Sequence, residues 1–305
     1  MIKYLVKSAM DTFRDEGVGG VVRETLKYVS LYGSPEKLLR HRVLKSLIGG
    51  GGVVREIQGS KMVLQLKSGG IHADLFMYGY REPEATKVMQ EIINPEWTVM
   101  DIGANIGYYA LMEARVCKKV YAIEPGTDNY PVLLDNVRLN GYGNIETYRT
   151  AIGDHNGTVK FTINPTAPNW NRVAVDGNSD SGHVIEVPLQ KLDSFWEDRG
   201  RPKVNMLRMD VEGYELQILS GATEMIRTCR PAMFLEVHRD HIKNYGGSAR
   251  ELFAILAEYG YSITHSFVVG HPSYTGKLTD ILMDEKKTHV LADKGIASHI
   301  FFGVV

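Results

Sequence analysis

The chain has 305 residues, of which 44% are hydrophobic and 23% are charged, and its formal net charge is −1 at pH 7. This composition is ordinary for a soluble globular protein whose core needs no disulfide or metal staples. A near-neutral chain without a basic stripe is not expected to bind nucleic acid. Cys117 and Cys229 lie far apart without metal-ligand spacing, which predicts two buried, reduced thiols.

Residues 1–48 are predicted to form polar helices, and they carry an excess of Lys and Arg over acids. We expect no signal peptide here and no transmembrane segment anywhere in the chain, and therefore a cytoplasmic protein. This segment is interpreted either as a packing or dimer arm or as a surface that rests on an anionic membrane. The glycines at 49–52 predict a flexible joint, and we divide the chain into an N-terminal helical extension, 1–60, and a main domain, 61–305.

Strands and helices alternate along the rest of the chain. A hairpin strand is predicted over 61–70, and the apolar spacing after Pro83 predicts a helix that Pro95 ends. The sequence between 157 and 189 predicts two strand-like pieces around a polar loop. The other predicted strands are 98–103, 120–125, 145–153, 204–210, 232–238, 261–269 and 298–305, and the other predicted helices are 108–116, 127–140, 248–260 and a segment around 218–226.

This alternation predicts a parallel, doubly wound α/β sheet. Ligands of such sheets bind beyond the carboxyl ends of the strands, at the point where the strand order reverses. Asp101, Glu124, Asp210 and His238 all lie at predicted carboxyl ends. The sequence therefore predicts that these four side chains surround a common ligand site.

The stretch DIGANIG forms a turn of small residues between a predicted strand and a predicted helix. Gly103, Asn105 and Gly107 can take the left-handed backbone that such a turn requires, and they let a ligand approach the backbone. Glu124 ends the next strand, where an acid accepts hydrogen bonds from a ribose diol. Acids at strand ends are also common as helix caps, but Asp101 and Glu124 together flank the turn on consecutive strands.

Two ligand classes share this ribose chemistry: nicotinamide dinucleotides and S-adenosylmethionine. The dinucleotide pattern needs a third glycine, and that position is Tyr108 here. Tyr108 and Tyr109 would also crowd a pyrophosphate at the start of the helix. S-adenosylmethionine has no phosphate, and Asp101 can serve its cationic end. The residues therefore favour S-adenosylmethionine, and a dinucleotide oxidoreductase is the distant alternative.

Several separate motifs resemble one known family, in matching order and spacing over about residues 80–240. They are DIGANIGYYAL, YAIEPGTDNYPVLLDNVRLNG, AIGD, MDVEGYELQILSGA and RPAMFLEVH. These motifs resemble the FkbM-type methyltransferases, which have the Rossmann-like class I fold with an antiparallel last strand and use S-adenosylmethionine. The resemblance implies O-methylation of hydroxyls on sugars or natural products. One departure is Arg208, which stands where the family usually has lysine.

The resemblance also implies roles for residues of this chain. The turn from Gly103 to Gly107 would wrap the methionine part of the cofactor, Glu124 would hold the ribose, and Ala151 with Ile152 would lie along the adenine, near Asp154. Asp210 and Glu212 would flank the point of methyl transfer. The expected cofactor site comprises Asp101, Gly103, Ala104, Asn105, Gly107, Tyr108, Glu124, Pro125, Asn129, Ala151, Ile152, Asp210 and Glu82.

Methyl transfer to a hydroxyl requires an aligned oxygen and removal of its proton. The candidates for this chemistry are Asp210, Glu212, Glu236 and His238. We hypothesise that His238 is the general base, oriented by Asp210 or Glu236, because histidine titrates near neutrality. In a variant, Asp210, Glu236 and His238 hold Mg²⁺ or Mn²⁺ against the acceptor oxygen. The structural alternative is a histidine that binds a loop carbonyl.

The loop PTAPNWNR has the composition of a sugar-binding platform. The ring of Trp170 can stack on a sugar while Asn169, Asn171 and Arg172 contact hydroxyls. The alternative is a loop anchored by one buried tryptophan. Before the glycine turn, Tyr80 and Glu82 lie where they could contact the cofactor, or Glu82 could simply begin a helix.

The sequence thus predicts an S-adenosylmethionine-dependent O-methyltransferase. The expected acceptor is a small molecule or glycan, with a hydroxyl on a sugar, a glycan or a glycolipid precursor. An N-methyltransferase for an amino sugar or small amine is the alternative enzyme, and a catalytically silent binding module is the alternative class. No nucleic-acid partner is expected, whereas peripheral membrane contact and a homodimer remain open.

Overall fold

The computed structural model describes residues 52–68, 70–164, 170–175, 182–268, 271–293 and 297–304. The helices predicted for 1–48 lie outside these residues, and so does Asn169. Within the described ranges, no helix is both long and apolar enough to cross a membrane.

The strands of these ranges are numbered in chain order. They are β1 (Val53–Ile57), β2 (Ser60–Leu64), β3 (Thr98–Ile102), β4 (Lys119–Ile123), β5 (Ile145–Tyr148), β6 (Ala151–Gly153), β7 (Gly157–Ile163), β8 (Arg172–Val173), β9 (His183–Lys191), β10 (Met206–Met209), β11 (Ala232–Val237), β12 (Tyr261–Phe267), β13 (Gly276–Lys277) and β14 (Ser298–Val304).

The helices are numbered in the same way. They are α1 (Gly70–Tyr78), α2 (Pro83–Ile92), α3 (Tyr108–Val116), α4 (Asn129–Asn140), α5 (Leu192–Glu197), α6 (Glu215–Ser220), α7 (Thr223–Cys229), α8 (Arg239–Lys243), α9 (Ala249–Glu258), α10 (Leu278–Met283) and α11 (Glu285–Thr288), with a 3₁₀ turn at Leu66–Ser68 and a π-helical turn at His289–Asp293.

The main sheet has eight strands in the order β13-β12-β14-β11-β10-β3-β4-β5. The five strands from β11 to β5 are mutually parallel, whereas β14 runs antiparallel to both β11 and β12. This order confirms the predicted fold class, a mostly parallel α/β sheet with an antiparallel last strand. The chain leaves β3 towards β5 and returns on the other side with β10, so the strand order reverses between β3 and β10.

The segment between β5 and β10 forms a second sheet of four strands, in the order β6-β9-β7-β8. Residues 145–153 were predicted as one strand, and that prediction is wrong. The strand stops after Tyr148, and the chain turns out of the main sheet before β6 begins at Ala151. Thr150 fixes the turn, because its hydroxyl donates to the Pro188 carbonyl at 3.1 Å. The break carries Ala151 and Ile152 away from the main sheet and into the wall of the ligand site.

The hairpin of β1 and β2 packs on helix α4. The Val63 amide donates to Asn136 Oδ1 at 2.6 Å, and the Lys61 amide donates to Asn140 Oδ1 at 2.8 Å. The predicted boundary after residue 60 falls inside this hairpin, whose strands pair Val53–Ile57 with Ser60–Leu64. The division of the chain at that residue therefore stays a prediction.

Candidate active site

A cavity of about 560 Å³ opens beyond the carboxyl ends of β3, β4 and β10. A smaller cavity of about 320 Å³ adjoins it, and Gly103, Asn105 and Asp210 line both. The cavities lie where the strand order reverses, which is where doubly wound sheets bind their ligands.

The glycine turn forms the floor between the two cavities. The Gly103 and Ala104 amides both donate to the Ile123 carbonyl, at 2.9 and 3.0 Å. Gly103 has φ of +82°, and a Cβ there would lie 2.0 Å from the Asp210 carbonyl oxygen. Only glycine fits that position, because the turn approaches the end of β10 too closely for a side chain. Gly107 instead starts α3 against Leu133 and lines neither cavity.

Glu124 presents a buried carboxyl group to the larger cavity. Its Oε2 accepts from the Asn105 amide at 3.0 Å, and its Oε1 accepts from the Gly126 amide at 2.8 Å. Burial raises the pKa of Glu124 to about 8. The two backbone donors fix the carboxyl group in one orientation, at the position predicted to bind a ribose diol.

The walls of the larger cavity come from three further segments. Pro125, Asn129, Ala151 and Ile152, all predicted as cofactor residues, line it. Phe161, which was not predicted, lines it as well. It was missed because its strand belongs to the second sheet, whose place beside the cavity no local pattern reveals.

The loop residues predicted to contact the acceptor do not stay together. Asn171 and Arg172 line the larger cavity, beside the predicted nucleoside residues. Asn171 Nδ2 donates to both oxygens of Asp128, at 2.9 and 3.1 Å. Trp170 is 42% exposed and lines neither cavity, so it is not a buried anchor of the loop.

Asp101 is fully buried and lines neither cavity. Its Oδ1 accepts from Arg208 Nη1 at 2.8 Å, and Arg208 Nη2 donates to Asp210 Oδ2 at 3.1 Å. The guanidinium group also lies 4.3 Å from the centre of the Tyr109 ring. The contact predicted between Asp101 and the cofactor therefore stays a prediction, since Arg208, which lines the smaller cavity, occupies Asp101 Oδ1.

The smaller cavity is lined by Ala104, Tyr108, Arg81 and Arg208, among others. Tyr108 fixes the backbone of Arg81, because its hydroxyl accepts from the Arg81 amide at 3.1 Å and donates to the Arg81 carbonyl at 3.2 Å. Glu82, predicted to contact the cofactor, lines neither cavity. It accepts from Arg81 Nε at 2.6 Å and from the Tyr109 hydroxyl at 2.9 Å.

Three of the four predicted catalytic side chains surround His238. His238 Nδ1 lies 3.4 Å from Glu212 Oε2, and His238 Nε2 lies 3.3 Å from Glu236 Oε1 and 3.9 Å from Asp210 Oδ1. Asp210 and Glu212 line the larger cavity, whereas His238 and Glu236 lie behind them. The sequence thus predicted a cluster that the fold assembles.

The carboxylates decide the protonation of this cluster. Burial lowers the pKa of His238, but Glu212 and Glu236 outweigh burial and hold that pKa well above its usual value. Burial, with the nearby Glu236 carboxylate, raises the pKa of Asp210 to about 6. His238 therefore carries a proton at neutral pH, and both of its ring nitrogens face carboxylates. Asp210 is ionised at that pH and faces the cavities.

The cluster extends through two histidines that sequence reasoning missed. His241 Nδ1 lies 3.0 Å from Glu212 Oε2, and His299 Nε2 lies 3.2 Å from Glu82 Oε2 and 3.5 Å from Glu236 Oε2. Three sets of these side chains bring three ligand atoms within 4.8 Å of one another: Asp210, Glu236 and His238; Glu212, His238 and His241; and Glu82, Glu236 and His299. His299 was missed because the last strand joins the site only through sheet pairing.

The fold and the site together define a class of protein, the Rossmann-like class I methyltransferases. The family model of the methyltransferase FkbM domain matches residues 101–263, which is more than half of the chain. The chain belongs to this family.

Known relatives share moderate similarity with the chain. Hexuronic acid methyltransferase AglP of Haloferax volcanii is 25% identical over 158 residues, covering 52% of this chain and 62% of the relative. The chain thus spans less than two thirds of that relative. 31-O-demethyl-FK506 methyltransferase FkbM of Streptomyces tacrolimicus is 24% identical over 201 residues, covering 56% of this chain and 75% of the relative. The crystal structure of methyltransferase FkbM from Methylobacillus flagellatus is 19% identical, covering 50% of this chain and 37% of that one, with a TM-score of 0.36.

Proposed function

We propose that the chain transfers the methyl group of S-adenosylmethionine to a hydroxyl of a sugar, glycan or glycolipid-type acceptor. One observation carries this proposal: Asp210 faces the junction of two adjoining cavities, one of which has Glu124 and the glycine turn on its walls. The larger cavity suits the nucleoside, and the junction suits the sulfonium and its methyl group. Family membership supports methyl transfer, without naming the acceptor.

The start of α3 favours S-adenosylmethionine over a dinucleotide. A pyrophosphate needs the free amides of an open helix start. Here the first two residues of α3 are the bulky Tyr108 and Tyr109, both 3% exposed, where a dinucleotide site has small residues. The site therefore suits a nucleoside without a phosphate at its 5′ position, as in S-adenosylmethionine, whose 5′ carbon carries the sulfonium.

Asp210 is the side chain best placed to take the proton of an acceptor hydroxyl. Its carboxylate faces the cavities, whereas both nitrogens of His238 already face carboxylates. Alignment of the hydroxyl with the methyl group would supply most of the acceleration, since the sulfonium is already a good leaving group. In this assignment His238 positions Asp210 and Glu212, and our hypothesis that His238 is the base gives way to it.

The acceptor class rests on one relative and on the loop around Trp170. One relative is named a hexuronic acid methyltransferase. In this chain, the exposed Trp170 directly precedes Asn171 and Arg172, which line the larger cavity, and this arrangement suits a sugar ring. An N-methyltransferase would need less base catalysis, so Asp210→Asn would then cost little activity.

Three finer proposals accompany this function. The first is that Mg²⁺ binds Asp210, Glu236 and His238. If so, a chelator should abolish activity and added Mg²⁺ should restore it. The second is peripheral membrane contact through residues 1–48. If so, the full chain should float with anionic liposomes, and the chain without residues 1–48 should not. The third is a homodimer, for which light scattering should give twice the mass of one chain.

The test of the proposed function is a screen with methyl-labelled S-adenosylmethionine. Neutral sugars, uronic acids and amino sugars are offered separately to the purified chain. Label on a hydroxyl oxygen supports the proposal, and label only on amino nitrogen supports the alternative enzyme. Cofactor binding without transfer to any acceptor class supports the silent module.

A further inference from the structure

We propose that Glu82, Glu236 and His299 bind one divalent transition-metal ion, of the Zn²⁺ or Mn²⁺ type. The three residues come from distant parts of the chain: the residue before α2, strand β11 and the last strand, β14. Two carboxylates and one imidazole are a donor set that such ions accept. The proposal does not depend on the proposed methyl transfer.

The distances between the ligand atoms fit a single ion. His299 Nε2 lies 3.2 Å from Glu82 Oε2 and 3.5 Å from Glu236 Oε2. Ligands at about 2.0–2.2 Å from one ion are separated by about 3.0–3.5 Å at tetrahedral or octahedral angles. Both distances to His299 Nε2 therefore match two ligands of one ion, and all three ligand atoms lie within 4.8 Å of one another.

His299 Nε2 is also unsatisfied. It is buried and makes no hydrogen bond within the described ranges, although two carboxylate oxygens lie within 3.5 Å. A nitrogen this close to two acceptors fails to bond when its ring direction aims at neither oxygen. An ion shared by the three atoms would also lie off both nitrogen–oxygen lines. Buried polar atoms without partners in a folded protein commonly mark an ion or a water.

The surroundings hold the ligands in place. Glu236 is 8% exposed. The Tyr109 hydroxyl and Arg81 Nε each donate to one oxygen of Glu82, at 2.9 and 2.6 Å. Such outer hydrogen bonds orient metal-binding carboxylates. Arg81 donates to Oε1 and Tyr109 to Oε2, and a carboxylate oxygen that accepts one hydrogen bond still has a lone pair for the ion.

The other two histidine and carboxylate sets fit an ion less well. In the set predicted from the sequence, Asp210 and His238 are 3.9 Å apart, which requires a much wider angle at the ion. In the second set, the rings of His238 and His241 are stacked, 5.1 Å apart and within 4° of parallel. Lone pairs in parallel ring planes do not converge on one ion.

The ion would act as a clamp behind the catalytic cluster. It would join α2 to β11 and β14 and fix Glu236, whose other oxygen lies 3.3 Å from His238. Because a metal-bound imidazole is neutral, binding would release the proton of His299. The ion would thus position His238 and not contact the methyl group.

The test is metal content of the full chain. The chain is stripped with a chelator, loaded separately with ZnCl₂ and MnCl₂, desalted and analysed for metal, and its Tm is measured with and without each ion. We expect one ion per chain and a higher Tm in the loaded wild type. His299→Ala and Glu82→Gln should bind at least tenfold more weakly, whereas His265→Ala, which removes an imidazole from the neighbouring strand β12, should match the wild type.

Three results would overturn the proposal. The first is a wild type that retains less than a tenth of an ion per chain and has an unchanged Tm. His238→Ala could abolish binding while His299→Ala keeps it, which would place the ion in another set. His265→Ala could lose the ion as fully as His299→Ala, which would show surface binding. The wild-type titration stands even if a variant does not fold.

Discussion

Arg208 donates a hydrogen bond of 2.8 Å to Asp101, its register partner on the neighbouring strand. Asp101 is the acid that opens the glycine turn, and both side chains are buried in the sheet. Breaking a buried ion pair by removing one partner is costly, because the remaining charge is left without a counterion and without full hydration. The floor of the ligand site is therefore fixed by a charge pair beneath it.

Removing Arg208 should leave Asp101 as an unpaired buried charge. We expect Arg208→Ala to lower the free energy of unfolding by about 3–5 kcal/mol, as broken buried ion pairs do. Arg227→Ala, on an exposed face of α7, should change it by less than about 0.5 kcal/mol. Urea denaturation measures both. A loss under about 1 kcal/mol in Arg208→Ala would show that Asp101 does not depend on this partner.

Asp210→Asn should abolish base catalysis and keep the cofactor site. We expect kcat to fall about 100-fold or more, with affinity for S-adenosylhomocysteine changed less than about threefold. In the wild type, the pKa of Asp210, raised to about 6, places the ionised base above that pH. The value of kcat/KM should therefore fall as pH drops through about 6.

The surface variant Asp240→Asn is the control for this experiment and should keep both the rate and the pH profile. A wild-type rate that stays flat from pH 5 to pH 8, or an Asp210→Asn enzyme with near-normal kcat, would remove Asp210 from the role of base.

Glu215 predicts a dependence of stability on pH. It is fully buried, and burial raises its pKa to about 8 from its usual value near 4.5. The folded state then holds the proton more tightly than the unfolded state, so the free energy of unfolding falls as pH rises from about 4.5 to about 8. Glu215→Gln removes this titration while its amide oxygen can still accept from the Gly213 amide.

We expect Glu215→Gln to be more stable than the wild type by about 1–3 kcal/mol at pH 9 and to lose this advantage below pH 5. Denaturant titrations across this range measure the difference. A constant difference at all pH values would mean that Glu215 keeps the same pKa in both states.

Trp170 tests the sugar platform. Because its ring is 42% exposed and lies outside both cavities, Trp170→Ala should raise KM for a sugar acceptor about tenfold and leave S-adenosylhomocysteine affinity unchanged. Steady-state kinetics and calorimetry separate the two effects. Equal losses of both affinities, or loss of the fold, would assign Trp170 a structural role.

Much of the fold could be predicted from the sequence, because buried strands and amphipathic helices leave local patterns. The glycine turn and Glu124 could also be predicted, since a strand that turns at once into a helix restricts residue type locally. The break between Tyr148 and Ala151 could not be predicted, because both halves have strand-like composition and only the pairing partners differ.

The parts of the site that escaped prediction depend on contacts between distant segments. In the sequence, Arg208 is a single charge within an apolar strand. Its partner Asp101 becomes evident only when β10 pairs with β3. His299 reaches Glu82 and Glu236 only because β14 inserts between β11 and β12. His238 was expected to be a base from its usual pKa, whereas the carboxylates that raise that pKa are brought in by folding.

The most direct test of the account is calorimetric titration of the full chain with S-adenosylhomocysteine. We expect micromolar binding that weakens at least tenfold in Glu124→Ala and is unchanged in Glu146→Ala, which removes an exposed acid of the neighbouring strand β5. NAD should not bind. Absence of S-adenosylhomocysteine binding, or tight binding of NAD in its place, would contradict the assignment of this site to a methyltransferase.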